Sequence, residues 1–216
     1  MGYNTTPTTE DSSIIVGASF TAVDGTGFVP FSALTSPQGL VTDDQIQKAY
    51  TDGNGLTQLK TFVYDEDDGW LDTEEGYEPC GDTEGLDLGT SVWFVSAGGA
   101  KSITTSGAVK SGTKTHTFTE KSVLCSSAFP VDFCPNSANV SWGIETDDQI
   151  QVAYTDDNHI TQLRTYVYDE DEGWLDAEDG YRTLDANEPL VAAGQGFWLI
   201  LQDAASTFTE VSPLAE

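Results

Sequence analysis

The chain has 216 residues, of which 38% are hydrophobic and 11% aromatic, and its eight basic residues face 36 acidic ones for a net charge of -28. Such a surface repels nucleic acid and anionic membrane, so neither is an expected partner, whereas divalent cations, basic proteins or high salt suit it. The apolar content argues against disorder, and no apolar run is long enough for membrane insertion.

The N-terminal segment, MGYNTTPTTEDSS, has neither a basic stretch nor an apolar core like that of a secretion signal. The chain is therefore expected to be either cytosolic or already mature, and we favour an extracellular or cell-surface protein whose signal has been removed. Two sequons, beginning at Asn4 and Asn139, are compatible with N-glycosylation.

The chain contains one long internal repeat. Residues 42–72 (TDDQIQKAYTDGNGLTQLKTFVYDEDDGWLD) match residues 146–176 (TDDQIQVAYTDDNHITQLRTYVYDEDEGWLD) at 24 of 31 positions. Weaker matches extend the repeat in both directions, and Trp93 aligns with Trp198. We predict two homologous domains in tandem, at residues 1–110 and 111–216, each large enough for its own core.

The repeat itself reads as antiparallel strands. Ile150, Val152 and Tyr154 alternate with polar or small residues, which is the period of a strand. Asp-Gly-Asn-Gly at 52–55 then predicts a tight turn, and a second strand follows at about 56–65. Turns recur about every ten residues, so the predicted fold is all-β, with two tandem antiparallel β-sandwich or small barrel domains.

The strand after that turn carries apolar residues on both faces. One reading places its aromatic side chains under a loop or under the neighbouring module. The other makes them an exposed aromatic and cationic stripe that binds a partner, since Tyr and Arg are common in interface hot spots. The candidate interface residues are Lys60, Phe62, Tyr64, Arg164, Tyr166 and Tyr168.

The acidic turn of each copy is the strongest candidate for chemistry. Alternating carboxylates around a glycine suit Ca²⁺, which takes six to eight oxygen ligands from flexible loops. The spacing of a helix–loop–helix calcium site is absent, and a solvated acidic hairpin tip explains the same residues. The candidate calcium ligands are Asp65, Asp67, Asp72, Asp169, Asp171 and Asp176.

The tryptophans and cysteines give further expectations. Trp70 and Trp174 follow the acidic turns, where they either pack in the core or stack on a sugar, and we favour the core. Trp93 and Trp198 lie inside apolar strands and are predicted to be buried in equivalent sites. A disulfide between Cys125 and Cys134 would close a short loop, leaving Cys80 free or paired with another chain.

Signals of catalysis are weak. The chain has only two histidines, and it shows no nucleophile elbow, HExxH motif or phosphate-binding loop. Carboxylate pairs are so numerous that nothing selects a catalytic one. We therefore expect a protein that is not an enzyme.

Four elements recur in the two copies: a D-x-I strand (Asp44 to Ile46, Asp148 to Ile150), a Tyr-rich hairpin, a Trp strand (Gly89 to Trp93, Gly196 to Trp198) and a terminal Thr-rich strand. In these elements the chain resembles the tandem β-sandwich modules of secreted bacterial surface and appendage proteins. The resemblance covers most of the chain, carries no catalytic motif and implies extracellular structural or adhesive roles.

Three functions follow as hypotheses. The first is a structural subunit of an extracellular filament or surface layer, joined to itself head to tail through sheet edges and the aromatic stripe. In that hypothesis the two modules form a semi-rigid rod, and the segment Gly2 to Glu10 adds a strand to a neighbour. The second is a glycan-binding or adhesin module, and the third is a soluble acidic protein of a salt-adapted cell.

Overall fold

A computed structural model describes residues 2–7, 13–19, 27–158, 160–203 and 206–213. These residues form nineteen strands and one 3₁₀ turn, Phe31–Ala33, and every strand pairing is antiparallel. The predicted all-β class is confirmed. Within the described residues there is no helix with the length and hydrophobicity needed to cross a membrane.

Each half of the chain builds one six-stranded sheet, and the two sheets have the same strand order. In module 1 the order is β2 (Ser13–Gly17), β9 (Ser91–Val95), β4 (Gln45–Thr51), β5 (Thr57–Asp65), β6 (Gly69–Asp72), β7 (Glu78–Pro79). In module 2 it is β12 (Ser122–Ser126), β18 (Gly196–Ile200), β14 (Gln149–Thr155), β15 (Thr161–Asp169), β16 (Gly173–Asp176), β17 (Arg182–Thr183). The repeat in the sequence is thus a repeat of topology.

Smaller sheets complete each module. Module 1 adds the pair β1 (Gly2–Pro7) with β10 (Ser102–Gly107) and the pair β3 (Phe28–Pro30) with β8 (Gly85–Asp87). Module 2 adds β11 (Thr113–Thr117), β19 (Thr207–Val211) and β13 (Val140–Gly143), in that order. The N-terminal strand, which we expected to reach a neighbouring chain, therefore pairs within its own module. Residues 8–10 of that segment lie outside the described part of the chain.

One face of each six-stranded sheet covers the module's own hydrophobic core. Because side chains alternate across a strand, the even-numbered residues of β5 share this inner face. The core of module 1 includes Ile14, Val16, Val29, Phe31, Ile46, Phe62, Trp70, Leu86, Val92, Phe94 and Ile103. The core of module 2 includes Phe133, Ile150, Tyr166, Trp174, Leu184, Val191, Phe197, Leu199 and Phe208.

The opposite, outer faces of the two sheets pack against each other through their first strands. Gly17 at one end of β2 donates its N–H to the Gly194 carbonyl beside β18, at 2.8 Å, and at the other end the Ser13 hydroxyl lies 3.4 Å from the Thr161 hydroxyl in β15. β2 also contacts β14, the strand that lies between β18 and β15 in the sheet of module 2. β2 therefore crosses the strands of the other module's sheet.

β12 repeats this contact on module 1. Ser126 donates its N–H to the Gly89 carbonyl at 3.0 Å, and the Thr57 hydroxyl donates to the Ser122 carbonyl at 3.4 Å. Gly17 and Ser126, like Gly194 and Gly89, hold equivalent positions in the two copies. The two modules are thus joined with approximate two-fold symmetry, through a contact that we call the seam.

Glycine lets the two sheets approach closely at the seam. A Cβ atom on Gly17 would lie 2.2 Å from the Ser126 Cβ, and one on Gly196 would lie 2.4 Å from the Ser91 Cβ. These distances are far below any normal contact, so both positions exclude a side chain in this arrangement. The modules therefore pack sheet against sheet, and the expectation of an end-to-end rod is wrong.

The edges of the six-stranded sheets are protected against further pairing. β7 and β17 have only two residues each, and β7 ends in Pro79, which has no N–H to donate. The other edges, β2 and β12, form isolated bridges across the seam at Val16 with Gln195 and at Cys125 with Thr90. Assembly through these sheet edges, as predicted from the sequence, has no long open strand to use.

Candidate functional site

The predicted aromatic stripe faces the wrong way for an interface. Phe62 has no exposed surface and Tyr166 is only 8% exposed, because both rings lie in the cores of their modules. Tyr64 and Tyr168 are half-buried and pack against those cores. The aromatic side chains thus lie in the core of their own module and not under the neighbouring one, and the exposed stripe is not formed.

The cations of the stripe form ion pairs with the aspartates that end the next strand. Lys60 Nζ lies 2.5 Å from Asp72 Oδ2, and Arg164 pairs with Asp176 in the same position of module 2. Burial alone would raise the pKa of Asp72, but hydrogen bonds from Lys60 and the Glu74 N–H bring it below its ordinary value. Its contribution to stability is therefore present above the unfolded-state pKa near 3.8 and is lost as the pH falls through the lower folded-state pKa.

The predicted calcium ligands do not converge. Asp65 accepts backbone N–H groups from Asp67 at 2.9 Å and Asp68 at 3.2 Å, which closes the turn, and Asp169 does the same in module 2. Asp67 and Asp171 are exposed. Asp72 lies at the other end of β6, about 10 Å away by strand geometry, and it serves the ion pair with Lys60, as Asp176 serves Arg164.

Calcium binding consequently stays a prediction without an assembled ligand set. Within the described residues, no three side chains of His, Cys, Asp or Glu stand close enough together to hold a metal ion. The geometry of each acidic turn is accounted for by its own backbone hydrogen bonds.

The three cysteines are free thiols, so the predicted disulfide between Cys125 and Cys134 is not formed. Cys125 is buried in the core of module 2, and Cys134 is half-buried. Burial, with a smaller contribution from the negative charge of Glu210, raises the pKa of the Cys125 thiol far above its ordinary value. Cys80 is half-buried, and its thiol donates to the Trp70 carbonyl at 3.1 Å.

The tryptophans divide between the two faces of each sheet. Trp70 and Trp174 are buried in the two cores, as we favoured. Trp93 and Trp198 do hold equivalent positions, but they lie on the outer faces and are only half-buried, so their predicted full burial is wrong. The apolar residues beside them in the sequence, such as Phe94 and Leu199, take the core positions instead.

The outer faces carry no charged side chain over most of their area, although the chain is rich in acidic residues. The strand register defines these faces, and an acidic residue appears only at the far ends, at Asp65 and Asp169. The outer face of module 1 consists of Ser13, Ile15, Gly17, Gln45, Gln47, Ala49, Thr51, Thr57, Leu59, Thr61, Val63, Leu71, Ser91, Trp93 and Val95. That of module 2 consists of Ser122, Leu124, Ser126, Gln149, Gln151, Ala153, Thr155, Thr161, Leu163, Thr165, Val167, Leu175, Gly196, Trp198 and Ile200.

Only part of each outer face is used by the seam. Ile15 and Leu124 are buried there, whereas Leu59 is 44% exposed and Leu163 is 40% exposed. Beside these leucines on the same faces lie Val63 and Leu71 in module 1 and the matching residues of module 2, which are half-buried. Each module therefore presents a polar but uncharged sheet surface with an exposed leucine. This surface is continuous with the part of the same face that forms the seam.

A second feature is a cleft of about 350 Å³ between the modules. Its walls are the end of β4, the segment from β8 to β9, and β11 with the start of β12. Because the walls come from both halves of the chain, the cleft exists only once the seam has formed.

A buried polar cluster lies beside this cleft. Glu210 accepts a hydrogen bond from the Ser127 hydroxyl at 2.6 Å, and one of its oxygens is 2.7 Å from His116 Nε2. The carboxylate stands between the other two groups, which is not the order in which an imidazole activates a serine. In the aligned repeat, Thr105 of module 1 takes the position of Glu210, so this cluster belongs to module 2. The difference between the two copies at this position is visible in the sequence and could have indicated the cluster.

Comparison of the chain with models of known protein families, with curated proteins and with solved structures found no match.

Proposed function

We propose that this protein is a non-enzymatic structural subunit of an extracellular filament or surface layer, and that its copies associate through the exposed parts of their outer sheet faces. The structural role is the one that the sequence favours, but the surface through which the copies associate is a different one. The aromatic stripe is buried and the main sheet edges are protected, so the outer faces replace them.

The observation that carries the proposal is the absence of charge from the outer faces of a chain with a net charge of -28. Charges keep an acidic protein soluble and monomeric. A surface from which they are missing, in both copies, is a place where two molecules can meet without direct repulsion. Part of the same surface already forms the seam, which shows that its shape permits sheet-on-sheet packing.

The energetics favour weak association that strengthens with salt. Fully burying an exposed leucine is worth about 1.5–3 kcal/mol. Leu59 and Leu163 are 44% and 40% exposed, so burying what remains of each contributes about 0.6–1.3 kcal/mol. The net charge opposes the approach of two molecules over a Debye length of about 8 Å at physiological salt and about 3 Å at 1 M. Two equivalent faces on each molecule allow open-ended growth when the contact does not close on itself.

A pair of charge-matched variants tests the surface. The double variant Leu59→Lys with Leu163→Lys puts a cation on both exposed faces, and we expect it to reduce association at high salt at least tenfold by sedimentation velocity. The control, Gln58→Lys with Gln162→Lys, changes exposed neighbours on the same strands whose side chains point to the opposite face. It makes the same change in net charge and should associate like the wild type.

The outcomes separate clearly. If the two variants associate equally, the outer faces are not the contact surface. If the wild type stays monomeric at high protein concentration and at about 1 M salt, where screening is nearly complete, the structural role itself fails.

The extracellular part of the proposal draws on one further residue. Asn139, the asparagine of the second sequon, is exposed immediately before β13. A glycan at this position would extend into solvent without disturbing either core.

A further inference from the structure

The cleft between the modules has the size and walls of a binding site for a small ligand. Its volume of about 350 Å³ falls in the range typical of ligand pockets. It is open to solvent, and it is lined by Tyr50 from module 1 and by residues of β11 from module 2.

The charged groups of the cleft are balanced, in contrast to the rest of the molecule. Lys48 and Lys114 line it together with Asp87 and Glu120. Lys48 pairs with Glu84 at 3.3 Å, outside the cleft lining, whereas Lys114 makes no ion pair among the described residues. The cleft thus offers both donors and acceptors, while its balanced charge and the strongly negative surroundings disfavour a ligand that carries a net negative charge.

The cleft also contains aromatic side chains. Tyr50 is 42% exposed, and Phe118, which also lines the cleft, is only 9% exposed. Ring faces of this kind accept the apolar face of a sugar, while hydroxyl groups on the sugar's edge donate to carboxylates and accept from ammonium groups. A neutral saccharide matches this combination, whereas a purely apolar ligand would leave the charged groups without partners.

From this geometry we infer that the cleft between the modules binds a neutral saccharide of one to two rings. Tyr50 stacks against a ring, Asp87 and Glu120 accept from sugar hydroxyls, and Lys114 donates to a ring or hydroxyl oxygen. Among the described residues the corresponding part of module 2 is lined differently: Val152 replaces Lys48, and Tyr154 lines a separate cleft with Arg164 and Glu178 but without β11. The saccharide site does not depend on the association of the outer faces.

The repeat supplies a matched control for the test. Tyr154 is the counterpart of Tyr50, is 44% exposed and lies outside this cleft. We would measure binding of three neutral disaccharides (maltose, cellobiose and lactose) and of glucuronate by saturation-transfer NMR and calorimetry on the full chain. At least one neutral disaccharide should bind, and glucuronate should bind at least tenfold more weakly.

The variants then place the ligand. Tyr50→Ala should weaken binding of that disaccharide at least tenfold and Tyr154→Ala should leave it unchanged. Lys114→Gln should weaken it, whereas Lys110→Gln, a nearby exposed lysine outside the cleft lining, should not. The inference is overturned if no neutral disaccharide binds, if glucuronate binds as tightly, or if the Tyr50 and Tyr154 variants lose affinity equally.

Discussion

Replacing Phe62 with alanine should lower the free energy of unfolding by about 3–5 kcal/mol, the usual cost of deleting a fully buried aromatic side chain. The Phe62 ring has no exposed surface, and it makes an edge-on contact with Phe31 at a centroid distance of 5.0 Å. Denaturant unfolding followed by tryptophan fluorescence measures the loss directly, since Trp70 lies in the same core.

The matched control is Leu59→Ala on the same strand. Leu59 points to the outer face and is 44% exposed, so its removal should change the free energy of unfolding by no more than about 0.5 kcal/mol. A large loss for Leu59→Ala with a small one for Phe62→Ala would mean that the two faces of β5 are assigned the wrong way round. The stripe predicted from the sequence would then be exposed after all.

The second large effect concerns the seam. Gly17→Leu should destabilise the protein by about 3 kcal/mol, at the upper end of the cost of overpacking, because even the Cβ atom would lie 2.2 Å from that of Ser126. Neither module's own core contains Gly17. We therefore expect the modules to part while each stays folded, so that calorimetry shows two transitions in place of one.

Gly53→Leu provides the comparison for this variant. A Cβ atom on Gly53 would have no heavy atom within 4 Å, and the residue lies in the exposed turn between β4 and β5. Its unfolding should remain a single transition near the wild-type temperature. If Gly17→Leu behaves in the same way, the close approach of the sheets at the seam is incorrect.

The internal repeat allowed much of the fold to be predicted, because alternation and turn chemistry are local properties. The alternation of Ile150, Val152 and Tyr154 predicted the first strand of the repeat, and the Asp-Gly-Asn-Gly turn predicted the hairpin that follows it. The duplication also predicted equal folds for the two halves, and the two six-stranded sheets share one strand order although the smaller sheets differ.

The orientation of β5 was beyond the reach of the sequence because both of its faces are apolar. Phe62 and Tyr64 alternate with Leu59 and Val63, and alternation defines two sets without saying which one faces the core. Lys60 suggested an exposed face, yet its charge is satisfied by Asp72 at the rim of the core. The scarcity of charges in the other set, where only Asp65 at the end of the strand is charged, was the more reliable signal.

Contacts between distant segments were also out of reach. A spacing of nine residues made a disulfide between Cys125 and Cys134 conceivable, but β12 turns Cys125 into the core. Gly17 and Gly196 look unremarkable in the sequence, and their role depends on a seam that only the three-dimensional arrangement reveals. The cleft lined by Tyr50 and Lys114 depends on that same seam.

In each module, one uncharged face is expected both to join the two modules and to bind a partner molecule. Small-angle X-ray scattering across a salt series tests both parts in one measurement. At low salt we expect a compact monomer with a radius of gyration of about 17 Å, whereas two modules joined end to end would give about 21 Å. With rising salt the forward scattering should increase as copies associate. A radius near that of the extended pair, or forward scattering that stays at the monomer value up to about 1 M salt, would contradict the account.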